Sequence, residues 1–120
     1  MADTIIHKIG DSISWSLNYK QSNNSPVDLT NYTININAIN RSNVEAFNVS
    51  SDSPTSNQYI DISDVANGNF KLIIKDTILF RRGDYYVDIE YTDLVGYKKF
   101  SKSFNLRLVE RLKRWKQTFF

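Results

Sequence analysis

The chain has 120 residues, no cysteine and a formal net charge of +2, with 41% hydrophobic and 23% charged residues. That length and balance fit one soluble globular domain with a core of its own. A cysteine-free chain excludes a disulfide scaffold, a Cys-based zinc site and a thiol nucleophile.

The N-terminus (Met1-Ala2-Asp3-Thr4) carries no basic region and no long apolar run, so neither a signal peptide nor a transmembrane helix is expected. Residues 4–9 are β-branched and short, and predict an opening edge strand. After the Gly10-Asp11 turn, residues 12–19 alternate, with Ile13, Trp15, Leu17 and Tyr19 on one face and Ser14, Ser16 and Asn18 on the other. Trp15, at the strand centre, is the expected large core residue. A polar turn over 21–26 leads to a compact corner at 27–30, plugged by Val27 and Leu29. Residues 32–39 alternate again, with Tyr32, Ile34, Ile36 and Ala38 facing one way.

Residues 44–49 and 59–62 predict shorter strands, separated by a Ser-rich loop, 50–57, that is expected to be mobile. Asn67-Gly68 is a strong turn dipeptide before the strand 70–75. Residues 76–80 suggest one helical turn, with Asp76 as N-cap and Ile78, Leu79 and Phe80 as apolar plugs. The clearest alternation follows at 83–91, where Tyr85, Val87, Ile89 and Tyr91 oppose Tyr86, Asp88 and Glu90. Past a hairpin loop at 93–96, residues 97–109 predict one last strand. Its apolar row of Phe100, Phe104, Leu106 and Leu108 is broken by Lys102, where a bulge or an exposed edge is expected.

Seven to eight short strands with regular turn signals and little room for helix predict an all-β antiparallel sandwich over residues 1–109, followed by a C-terminal arm at 110–120. Gly83-x-Tyr85-x-Val87 has the spacing of the corner tyrosine near the start of strand F in immunoglobulin-type sandwiches. Tyr85 is either that corner residue or another inward-facing tyrosine.

Catalytic chemistry is not legible. His7 is the single histidine and reads as a surface or edge-strand residue. All four glycines (Gly10, Gly68, Gly83, Gly96) fall at turns, with no phosphate-binding loop and no Gly-x-Ser-x-Gly elbow. Asp88 and Glu90 share a strand face, but lack the oxygen-rich loop calcium needs. They are expected to pair with Lys98, Lys99 or Lys102 across the following hairpin. Asn-x-Ser/Thr sequons at Asn23, Asn31, Asn40 and Asn48 read as by-products of an Asn- and Ser-rich sequence. No catalytic, cofactor-binding or metal-ligating residue is assigned.

The last quarter is basic: Lys98, Lys99, Lys102, Arg107, Arg111, Lys113, Arg114 and Lys116 stand against Glu110. It reads chiefly as a solvated strand face and a docking tail, with nucleic acid the weaker reading because base-reading motifs are missing. Leu112, Trp115, Phe119 and Phe120 interleave large apolar groups with those cations. Exposed apolar groups of this kind mark interfaces, and Trp and Arg are interface anchors. The partner-binding candidates are therefore Arg111, Leu112, Lys113, Arg114, Trp115, Phe119 and Phe120, in an arm that docks on a neighbouring protein or folds back on its own domain.

The segments Ile9-Gly10-Asp11-Ser12-Ile13-Ser14-Trp15-Ser16-Leu17 and Pro26-Val27-Asp28-Leu29-Thr30-Asn31-Tyr32-Thr33 resemble the opening of small immunoglobulin-like structural proteins of tailed bacteriophages. The N-terminal domains of phage baseplate upper proteins begin similarly. Gly83-Asp84-Tyr85-Tyr86-Val87-Asp88-Ile89-Glu90 resembles the strand before their final hairpin. The resemblance spans residues 8–108 and leaves out the tail. It implies a non-enzymatic virion component with an immunoglobulin-like fold, present in repeated copies and contacting other virion proteins. It also implies a place in tail or baseplate first, or on the head surface or at a fibre anchor second, with no cofactor. The alternative from the residues is a carbohydrate- or host-surface-binding module using Tyr59, Tyr86 or Tyr97.

Overall fold

A computed structural model describes residues 4–101 and 103–110. They form nine strands: β1 (Thr4–Lys8), β2 (Ile13–Asn18), β3 (Thr33–Ile39), β4 (Glu45–Ser50), β5 (Gln58–Asp61), β6 (Asn69–Ile74), β7 (Gly83–Thr92), β8 (Lys98–Phe100) and β9 (Phe104–Val109). One short 3-10 turn, Val65–Asn67, precedes β6. No helix among the described residues is long and apolar enough to cross a membrane.

The strands make two sheets. The larger runs β1-β9-β7-β3-β4, with β8 also paired to β7; the smaller runs β2-β6-β5. All pairs are antiparallel except β1 with β9. In immunoglobulin lettering this is a G-F-C-C′ sheet facing a B-E-D sheet, with the opening strand on the last one. Alternation built the core as the sequence predicts. Ile34, Ile36 and Ala38 from β3, Tyr85, Val87, Ile89 and Tyr91 from β7, and Phe70, Leu72 and Ile74 from β6 are all buried between the sheets.

The Asp-Leu-Thr corner explains itself. The Asp28 carboxylate accepts the Thr30 amide at 2.9 Å, and the Leu29 amide donates to the Val65 carbonyl at 2.8 Å. Leu29 is thereby driven into the core. Hydrogen bonds from Thr30 hold the Asp28 carboxyl below its usual range. The Ser-rich loop 50–57 is tied in at its first turn: Ser51 Oγ accepts the Ile34 amide at 2.9 Å.

Tyr85 is the corner tyrosine. Its hydroxyl donates to the Arg81 carbonyl at 2.9 Å while its ring is buried. Burial raises the phenol pKa. Tyr85→Phe keeps the ring and strips the Arg81 carbonyl of its donor. It is expected to cost about 1–2 kcal/mol, read from the urea midpoint at unchanged slope.

Three expectations are corrected. Residues 76–80 form no helical turn. The Asp76 carboxylate accepts the Ile78 amide two residues on, closing a local turn instead of capping a helix. Phe80 alone of the three plugs packs against the core, whereas Leu79 is 91% exposed and Ile78 half-exposed. Thr77 is the buried residue of this turn: its hydroxyl donates to the Asp11 carbonyl and accepts the Gly10 amide, each at 2.8 Å.

Residues 97–109 are two strands. β8 pairs as Glu90↔Phe100 and β9 as Val87↔Phe104, a shift of one residue in register. The irregularity lies between residues 100 and 104, where the break in the apolar row placed it; Lys102 itself lies outside the described residues. A one-residue shift reverses the faces, so Phe100 points to solvent and Phe104 inward.

Trp15 is only partly buried, because β2 is an edge strand. It packs edge-on against Phe104 (5.7 Å) and Phe47 (6.1 Å). Tyr91 takes the central place instead, stacked on Tyr19 at 4.4 Å. Of the two paired carboxylates, Glu90 does pair with Lys98, at 3.6 Å; Asp88 accepts from the Ser103 hydroxyl, and Lys102, the third lysine expected here, lies outside the described residues.

Candidate interaction surfaces

Among the described residues the β7–β8 hairpin groups four exposed large apolar side chains. Leu94, Val95, Tyr97 and Phe100 are 79%, 77%, 75% and 63% exposed. The loop is fixed from within. The Asp93 carboxylate accepts the amides of Val95 (3.0 Å) and Tyr97 (2.9 Å), and the Tyr97 carbonyl accepts the Asp93 amide at 3.0 Å. Gly96 supplies the left-handed residue, φ +96°, that closes the turn. Leu94, Val95 and Tyr97 are therefore held out in water by the turn, and Phe100 by the strand β8 that follows it. Lys98 and Lys99 flank them, with Lys98 pinned by Glu90. Such a patch suits an apolar partner surface with an acidic rim. The sequence points to Tyr97 only as a possible glycan contact and does not single out Leu94, Val95 or Phe100 as contact residues. The signal was Leu94-Val95 at the tip of a turn, where polar residues are the rule.

A second feature lies on the outer face of the larger sheet. A shallow cleft of about 490 Å³ is lined by Asn40, Arg41, Asp84, Tyr86, Asn105 and Arg107 among others. Arg107 Nε donates to Asp84 at 2.8 Å, and Arg41 Nε to the Tyr86 hydroxyl at 3.4 Å. These contacts raise both guanidinium pKa values, through Asp84 for Arg107 and chiefly Tyr86 for Arg41. The other tyrosines considered for glycan contact sit elsewhere, Tyr59 on β5 and Tyr97 on the hairpin, so the three do not converge.

His7 Nε2 lies 2.8 Å from the Asp11 carbonyl at the exposed end of β1, which fits the edge-strand reading. Among the described residues no group of three or more His, Asp or Glu side chains is placed to hold a metal ion. The predicted partner-binding residues Arg111, Leu112, Lys113, Arg114, Trp115, Phe119 and Phe120 lie outside the described residues. The described chain ends at Glu110, whose carboxylate pairs with Arg82 at 3.0 Å. That end of the sandwich is opposite the β7–β8 hairpin, since Gly83 pairs with Leu108 at one end of β7 and Thr92 with Lys98 at the other.

No family model matches the chain, and no curated protein matches it in sequence. Among solved structures, a chicken TCR is similar with a TM-score of 0.59 at 13% identity, over 92% of this chain and 54% of that one. CopC from Methylosinus trichosporium OB3b gives a TM-score of 0.48 at 9% identity, over 92% of this chain and 85% of its own. This chain thus spans about half the length of the TCR chain that it matches. At that identity the likeness speaks to fold, and the fold is an immunoglobulin-like β-sandwich.

Proposed function

We propose that the chain is a structural component of a tailed-bacteriophage virion, an immunoglobulin-like module that joins neighbouring proteins by non-covalent contact. Tail or baseplate is the first placement and the head surface the second. The observation that carries a binding role is the rigid β7–β8 hairpin with four large apolar side chains in water. The phage assignment is supported by the sequence resemblance over residues 8–108. The sandwich acts as a spacer between two contact regions: the hairpin, and the arm that follows Glu110, with Trp115, Phe119 and Phe120 as anchors and Arg111, Lys113 and Arg114 meeting an acidic surface. Many copies per particle add avidity to modest single contacts.

Incorporation into particles tests this. The full chain, its L94S/V95S/Y97S variant and a form lacking residues 111–120 are each supplied during phage assembly and quantified in purified virions. Each hot-spot side chain truncated costs about 2 kcal/mol, roughly thirtyfold in affinity. Both altered forms are expected to be strongly depleted from particles while remaining folded. Wild-type occupancy by both would contradict the reading.

A second reading, a carbohydrate- or host-surface-binding module, is favoured by the Tyr86 cleft, where an aromatic ring sits among amides and paired charges. Binding of the full chain to a glycan array that disappears in Tyr86→Ala would select it.

A further inference from the structure

Among the described residues the smaller sheet has no strand beyond β2, so one edge of β2 is open there. The direction of its free groups can be fixed. The Tyr19 amide donates to the Gly68 carbonyl, on the β6 side. Backbone groups alternate sides along a strand, so the amides and carbonyls of Ser14, Ser16 and Asn18 point away from β6. They have no backbone partner among the described residues.

Sheet edges in soluble proteins are normally protected by charge, proline, bulges or shortness. The other edges here follow that rule. β4 has Glu45 and a register shift against β3 at Ala38/Ile39. β1 carries His7 and Lys8. β5 is four residues long and ends in Asp61, and β8 is three residues with two lysines. β2 does not follow it. Its six residues, Ile-Ser-Trp-Ser-Leu-Asn, hold no charge and no proline, and its register with β6 is unbroken from Ile13↔Ile74 to Asn18↔Asn69. Trp15 and Leu17 are partly uncovered along the same edge.

We propose that β2 pairs antiparallel with β2 of a second copy, fusing two three-stranded sheets into one. The strand is complementary to itself about a two-fold axis at Trp15. Ser14 then meets Ser16 of the second copy, Ile13 meets Leu17, and the two Trp15 residues oppose each other. Apolar residues fall on one face and serines on the other, as the period of two requires. Aromatic cross-strand pairs of this kind are stabilising. The flanks agree in charge: Asp11 comes opposite Tyr19 of the second copy, next to its Lys20, and both charged residues are exposed. The closed two-fold contact covers both open edges at once. This inference stands on the edge geometry and does not depend on the phage reading.

Sedimentation of the full chain across the micromolar range tests it. The wild type is expected to approach twice the 13.9 kDa chain mass. Ser14 and Ser16 are exposed, so S14K/S16K leaves the monomer fold intact by circular dichroism. It sets lysines opposite lysines and weakens dimerisation by about tenfold or more. S14E/S16E does the same alone, and mixing the two variants restores a dimer of one of each. A wild type that stays monomeric overturns the proposal. So does a dimer that S14K/S16K leaves unchanged, or a mixture that fails to recombine.

Discussion

Tyr91→Ala is expected to destabilise the fold by about 3–5 kcal/mol, the range for removing a large buried aromatic. Domains of this size hold about 5–15 kcal/mol in total, so the variant sits near the edge of unfolding. The cause is position. Tyr91 lies near the end of the central strand β7, stacked on Tyr19 at 4.4 Å and edge-on to Phe70 at 6.0 Å. It therefore joins β7 to the chain just past β2 and to β6, linking the two sheets with one ring. Burial drives its phenol pKa well up, which marks how little water reaches it. Tyr91→Phe keeps both ring contacts and is expected to fall within about 1.5 kcal/mol of wild type. Urea denaturation of the pair separates ring packing from the hydroxyl. Equal losses in both variants would show that the ring is not the link.

Gly68→Ala is the second large effect, about 2–5 kcal/mol. Gly68 has φ +76°, and a Cβ built there lies 2.7 Å from the Tyr19 carbonyl oxygen and 2.9 Å from that of Val27. Both obstacles are backbone, so neither can swing away. A left-handed non-glycine residue costs about 1–2 kcal/mol, and overpacking adds about 1–3. The crowding has a purpose in the fold. Here the chain leaving β2 crosses towards β3, with the Val27 amide donating to Tyr19 and the Tyr19 amide donating to Gly68. Gly96→Ala is the control. Gly96 has φ +96° and no atom within 4 Å of its added Cβ, so only the conformational cost of about 1–2 kcal/mol is expected. Equal losses at the two glycines would remove the close-approach explanation.

These residues show what was legible in the chain. Strict alternation in β2, β3, β6 and β7 identified the inward rows, because a half-buried strand imposes a period of two on its sequence. The Tyr85 corner was visible as a spacing. The turn at 76–80 was misread because Asp76 followed by apolar residues fits a helix N-cap and a local turn equally. Its outcome was decided at long range, by Thr77 bridging Gly10 and Asp11. Phe100 was placed on the wrong face because one inserted residue reverses a strand, and a pattern shows that a row is broken before it shows how far it shifts. Trp15 was overrated because pattern finds the inward face of a strand and says nothing of whether that strand lies at the sheet's edge. The 93–96 hairpin was legible as a loop, but the apolar surface at its tip was not, because only the Asp93 turn shows that Leu94 and Val95 are held outward.

The proposed role is tested most directly by quantitative mass spectrometry of purified virions, with heads separated from tails. The full chain is expected at a fixed, multiple copy number in the tail or baseplate fraction, resistant to high-salt washing. Its presence only in the soluble lysate, or release from particles at moderate salt with no fixed stoichiometry, would contradict that role.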